Sequence, residues 1–130
     1  KTVKDLSDTI KLLTHLEGMG VISPMKLRLK QGGLLDNDYQ TLLNNTETER
    51  RVRHYFRILS KLENKPSQTL QKEDLRILNQ MSRRPKRLWY ITGCHMAQQI
   101  EQKCRVETLR NLVKEGPQEF FEKYRNLQNH

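Results

Sequence analysis

Cysteine is nearly missing from this chain of 130 residues, which holds only Cys94 and Cys104. So small a number excludes a disulfide framework and fits a reducing compartment. Long apolar runs are missing too. No stretch approaches the roughly 18 apolar residues of a membrane span, and the start, KTVKDLSDTIK, lacks the apolar core of a secretory signal. The chain opens without Met and so reads as an excised domain, expected to be cytoplasmic, with the nucleus as the alternative. No segment alternates with period two for long enough to make a strand, and there is neither an internal repeat nor a low-complexity tract. Four prolines and six glycines in this length fit a single domain over residues 1–130. Acidic side chains are outnumbered, 15 against 24 basic ones, leaving a net charge of +9 and a pI of about 9.8. An acidic partner is therefore expected: nucleic acid, anionic lipid or the acidic face of another protein.

Reactive constellations are equally sparse. Cys94, Cys104, His15, His54, His95 and His130 are the whole supply of thiols and imidazoles. Neighbours such as Cys94 and His95 diverge by about 100° on a helix and do not face each other. Cys94, His95 and Cys104 would give at most three zinc ligands, at a spacing unlike the compact pairs of structural sites. Gly32-Gly33 is not followed by the Lys-Ser/Thr of a phosphate loop. Asp36, Asp38, Glu47 and Glu49 lack the alternating ligands of a calcium loop and read as caps and first-turn acids, or as an acidic protein-binding face. The expectation is a chain without catalysis, metal or cofactor.

What is present is helical periodicity. The densest stretch is 34–62, LLDNDYQTLLNNTETERRVRHYFRILSKL. Asp36 is a candidate N-cap for a short helix, Asn44-Asn45 a break, and Thr46 with Glu49 a capping box that starts a long helix. Val52, Tyr55, Phe56, Leu59 and Leu62 form its apolar stripe, and Arg50, Arg51, Arg53, Arg57 and Lys61 are left for solvent. Upstream, Thr2 and Asp5 start a helix carrying Leu6, Ile10, Leu13 and Leu16, stopped by Gly18-Met19-Gly20. A short basic helix is expected from Met25 to about Gln31, after Ser23-Pro24. Downstream, Leu70, Leu75, Leu78 and Met81 mark a helix capped by Thr69 or Ser67. Helical stripes then run through 86–115 as one helix, or as two bent near Gly93 or Cys104. Gly116-Pro117 separates them from a last helix with Phe120, Phe121, Tyr124 and Leu127 on one side. A second basic run, Arg83, Arg84, Lys86 and Arg87, flanks Pro85 beside Trp89 and Tyr90. It reads as a phosphate contact with aromatics for stacking, or as a nuclear-import-like run.

Residues 33–62 resemble the third and fourth helices of caspase-recruitment domains, a branch of the death-fold superfamily. The resemblance lies in the leucine, acidic, x, x, tyrosine start, the Thr-containing break and the R-V-R-x-x-x-x-I-L helix. KLLTHLEGMGVIS is similar to a segment that these domains share with death-effector domains, and Lys72-Glu73-Asp74-Leu75 to the basic-x-Asp-Leu motif of the latter. The resemblance implies a death-fold-like portion over about 1–82, with 86–130 as a C-terminal helical extension. The expected fold is thus an all-α antiparallel helical bundle of six to eight helices. It also implies an adaptor in apoptotic or innate-immune signalling that recruits a homotypic partner or further copies of itself. The basic face would be Arg50, Arg51, Arg53 and Arg57, and the acidic face Asp36, Asp38 and Glu47. The alternative is a basic helical module that binds DNA or RNA through Arg83, Arg84, Lys86 and Arg87.

Overall fold

The computed structural model describes residues 2–21, 36–82 and 87–128, apart from the side chains at 19–21, 36–39, 82 and 106. These residues form seven helices and no strand: α1 Val3–Val21, α2 Asp36–Leu43, α3 Asn45–Glu63, α4 Lys72–Ser82, α5 Leu88–Lys103, α6 Val106–Glu115 and α7 Pro117–Gln128. The all-α bundle read from the sequence is what the chain forms. The basic helix expected at Met25 to Gln31, the Asp36 side-chain cap, and Arg83, Arg84 and Lys86 lie outside the described residues or side chains.

Helix starts follow side-chain chemistry. At α1, the Thr2 backbone N–H donates to Asp5 Oδ2 at 2.8 Å, and Asp5 N–H donates back to Thr2 Oγ1 at 3.4 Å, the reciprocal cap that the sequence implies. Two more first-turn donors are satisfied across the fold: Val3 N–H reaches Gln68 O at 2.8 Å and Lys4 N–H reaches Pro66 O at 3.0 Å. The α3 cap lies earlier than expected. Asn44, in extended geometry, accepts from Glu47 N–H at 3.1 Å, so the helix begins at Asn45 in place of Thr46. At α4 neither Thr69 nor Ser67 caps; Asp74 Oδ2 accepts from Gln71 N–H at 2.9 Å, and its Oδ1 accepts from Lys65 Nζ at 3.2 Å. Gly116, at φ 97, and Pro117 separate α6 from α7 as expected.

The organising helix is α5, in place of the 34–62 stretch. Its buried residues, Leu88, Trp89, Ile91, Thr92, Gly93, Cys94, Met96, Ala97 and Ile100, occupy nearly every side of the cylinder. Helices α1, α3, α6 and α7 pack around it, with α1 lying closest along its length. That closeness corrects the reading of two glycines. Gly18 does not stop α1, which continues to Val21, and Gly93 does not bend α5, which breaks at the extended Cys104. Gly18 and Gly93 instead let the two backbones touch. A Cβ at Gly18 would sit 2.3 Å from the Gly93 carbonyl oxygen, and one at Gly93 would sit 2.3 Å from that of Thr14. The crossing also rotates α1, so Thr14 and His15 are buried while Leu16 is 56% exposed. Leu75, expected on an apolar face, is also exposed.

Candidate functional site

Helix α3 buries Val52, Tyr55, Leu59 and Leu62, and with them the apolar stripe read from sequence. Position 56 lies at the edge of that stripe, and Phe56 is half-buried. From α7 comes a matching edge. Phe120, Phe121 and Tyr124 enter the core, and the Tyr124 ring lies parallel to Phe56, centroids 5.8 Å apart and planes 5° apart. Between the two helices along this seam lies an open groove of about 680 Å³. Val52, Phe56 and Tyr124 are its floor, and Arg53, Arg57 and Arg125 its rim. A concave, mostly apolar surface with a few convergent polar groups is the usual form of a binding site.

The three rim arginines are not equivalent. Arg125 contacts Glu63 Oε1 at 3.5 Å and holds its guanidinium 5.9 Å from the Phe56 ring and 5.8 Å from Phe121. Glu63 also pairs with Lys11 of α1, so one carboxylate ties α1, α3 and α7 together at the end of the groove. Arg53 and Arg57 are exposed and have no acidic partner among the described residues. Their charge is available to a ligand.

The other basic and acidic residues named from the sequence fall elsewhere. Arg50 pairs with Glu47 one turn away, and Arg51 Nε lies 2.9 Å from the other oxygen of the same carboxylate. Hydrogen bonds from Arg50, then Arg51, hold the Glu47 carboxyl below the ordinary glutamate range. Glu47 therefore shares a helix surface with the arginines that an opposed acidic face was expected to answer. Arg87, in left-handed geometry at φ 42, stacks its guanidinium 3.9 Å over Tyr90, and Trp89 is buried in the core. The Arg87 guanidinium thus covers one face of the half-buried Tyr90 ring.

Of the histidines, His15 has the most defined setting. Its ring is buried beside Phe120, centroids 4.9 Å apart, with Nε2 at 2.9 Å from the Leu112 carbonyl oxygen. The carbonyl can only accept, so Nε2 carries the proton, and Nδ1 is buried without a partner. Burial holds the ring's pKa below its ordinary value of 6.5, opposed by the Leu112 bond. His95, half-buried edge-on to Tyr124 at 6.1 Å, is lowered by burial too. Above 6.5 both rings are neutral whether the chain is folded or not. As pH falls below 6.5, the unfolded chain takes up protons that the folded one refuses, so stability falls with pH. Urea unfolding at pH 7.5 and pH 5.5 is expected to show a lower midpoint at the acid pH. In His15→Leu that decrement should shrink; an equal decrement would remove His15 from the account.

A family model described as "Putative zinc dependent peptidase (DUF5700)" matches residues 27–130. No curated protein and no solved structure matches the chain. The family match overturns the caspase-recruitment resemblance, and with it the adaptor role in apoptotic or innate-immune signalling. The expectation of a chain without catalysis is corrected as well, since the family is described by an enzymatic activity. The motifs behind the resemblance, a capped start and an R-V-R-x-x-x-x-I-L spacing, are what many amphipathic helices carry.

The zinc that this description implies does not fit the described side chains. No three His, Cys, Asp or Glu residues among them converge on a point, and the sequence has no H-E-x-x-H, the spacing that sets two imidazoles and a carboxylate on one helix face. His15 Nε2 is occupied by Leu112, and Cys94 is buried in α5. His130 lies outside the described residues. The groove was missed in the sequence because its halves, Phe56 and Tyr124, come from distant helices; the only local signal was the aromatic side of α7 with Arg125 beside it.

Proposed function

Because the chain belongs to the DUF5700 family, described as a putative zinc dependent peptidase, we propose that it serves peptide hydrolysis by holding the peptide in the groove between α3 and α7. The observation that carries this reading is the pairing of an apolar aromatic floor, Phe56 against Tyr124, with the unneutralised guanidiniums of Arg53 and Arg57. Apolar side chains of a peptide would be desolvated on the floor, while a carboxylate or backbone carbonyls meet the rim. Bond cleavage is assigned to none of these side chains, which hold no metal-ligand set.

The test is calorimetric titration of the chain with short synthetic peptides that pair a carboxylate with a large apolar residue. Saturable binding is expected, and Arg53→Glu with Arg57→Glu should weaken it by roughly 100-fold, about 3 kcal/mol for two reversed charges close to an anion. Both arginines are exposed, so helical content and melting temperature should stay unchanged in the double variant. Absence of saturable binding at millimolar peptide, or equal binding by the reversed variant, would overturn the reading.

A further inference from the structure

The open charge of α3 does not end with the groove. Lys61 follows Arg57 by four residues, as Arg57 follows Arg53, and such steps keep positions on one side of a helix, about 6 Å of axial rise apart. All three side chains are exposed, and none has an acidic partner among the described residues. The acids nearest in sequence are engaged or placed elsewhere. Glu47 is taken up by Arg50 and Arg51. Glu63, about 200° round the helix from Lys61, is held by Lys11 and Arg125. Glu49 comes about a turn before Val52, beyond the other end of the groove, where its charge acts on Tyr124 and His95.

The row of cations thus overlaps the groove at Arg53 and Arg57 and continues past it at Lys61, which is not among the lining residues. A single carboxylate, with two oxygens, does not answer three cations carried on successive turns. An extended chain advances about 3.3 Å per residue, so three or four consecutive residues span the roughly 12 Å of helix from Arg53 to Lys61. A lipid surface fits less well. A helix that lies on a membrane sets protruding apolar side chains beside its basic face, and the large apolar side chains exposed here, Leu12, Leu16, Leu43, Leu75 and Val113, are on neither α3 nor α7. We infer that the groove takes peptides in which a large apolar residue adjoins a run of acidic residues, with Lys61 as a binding residue for that run. The inference rests on the peptide-holding reading above. Charge complementarity of this kind steers encounter and sets the direction in which the peptide lies.

The experiment compares, by titration calorimetry at low salt, two N-acetylated, amidated peptides of equal length, one with a single Glu beside phenylalanine and one with a run of three. The three-Glu peptide is expected to bind roughly tenfold more tightly, an advantage that shrinks as salt is raised. Lys61→Gln should weaken the three-Glu peptide about threefold and leave the one-Glu peptide unchanged, a difference that loosening of the fold would not produce. Equal binding of the two peptides, or an equal effect of Lys61→Gln on both, would overturn the inference and leave peptide holding intact. Phosphatidylserine vesicles and a single-stranded oligonucleotide are titrated alongside. Binding of either as tight as that of the three-Glu peptide would make the row a collector of polyanions, which also overturns the inference. Failure of both peptides to bind would remove both readings.

Discussion

Gly93→Ala is expected to destabilise the fold by about 3 kcal/mol, at the upper end of what overpacking a close-packed interior costs. In a chain of this size that lowers the melting temperature by roughly 10 °C. The added Cβ would lie 2.3 Å from the Thr14 carbonyl oxygen and 3.1 Å from the Gly18 nitrogen, both backbone atoms. A flexible side chain could swing away from such a contact; a helix backbone cannot, so α1 and α5 must separate along their crossing. Gly18→Ala meets the Gly93 carbonyl in the same way and should cost a similar amount. The double variant should cost less than the sum, because one separation of the helices accommodates both methyl groups. Gly116→Ala supplies the contrast. Its φ of 97 with ψ of −178 strains any L side chain, but nothing lies within 4 Å of a Cβ there, so the loss should be conformational only, about 1 to 3 kcal/mol. Thermal melts followed by far-UV circular dichroism measure all four. A Gly93→Ala melt within about 2 °C of the parent would mean that the backbones do not approach this closely.

These two glycines also show where sequence reading stops. Taken locally, glycine ends or bends a helix, and Gly18 and Gly93 were read that way. Their actual use depends on each other across 75 positions of chain, and no local pattern encodes a pair. The same holds for α5. Periodicity finds a helix by its one apolar face, so it picked out α3, with its sharp division between Val52, Tyr55 and Leu59 on one side and arginines on the other. A helix buried on most sides has no single stripe, so the sequence does not separate one helix from two between 86 and 115. Helix ends were more legible because caps are local: Thr2 with Asp5, and Gly116 with Pro117, appear where their chemistry places them. Candidate site residues divided by the same rule. Arg53 and Arg57 were found as part of a basic helix face. The ring that completes their groove, Tyr124, was visible only as one side of an amphipathic helix, and the pairing of Arg50 and Arg51 with Glu47 turned half of the expected basic face inward on itself.

A buried hydroxyl pair fixes how α3 presents that groove, and removing one half of it should cost far more than removing the other. Thr14 Oγ1 lies 2.7 Å from Ile10 O and 2.7 Å from Tyr55 Oη. The Ile10 carbonyl can only accept, so the Thr14 proton is committed to it, and Tyr55 must donate to Thr14. Burial raises the Tyr55 pKa far above its ordinary value, so the phenol keeps its proton. Thr14→Val removes the acceptor and leaves a fully buried O–H with nothing to donate to, at an expected cost of about 2 to 3 kcal/mol. Tyr55→Phe removes the donor, while Thr14 keeps its bond to Ile10, and the cost should be about 1 kcal/mol. With both changed, the polar atoms leave together, and the double variant should be more stable than Thr14→Val alone; a cycle of urea unfolding midpoints measures the coupling. Additive losses would show that the two hydroxyls act independently. The pair matters to the groove because Tyr55 packs edge-on to Phe56 at 5.1 Å and lies 6.5 Å from Phe121. Through Tyr55, α1 is tied to α3 next to Phe56, the ring on the groove floor. Thr14→Val should therefore weaken peptide binding as well as stability, although Thr14 is not among the residues lining the groove.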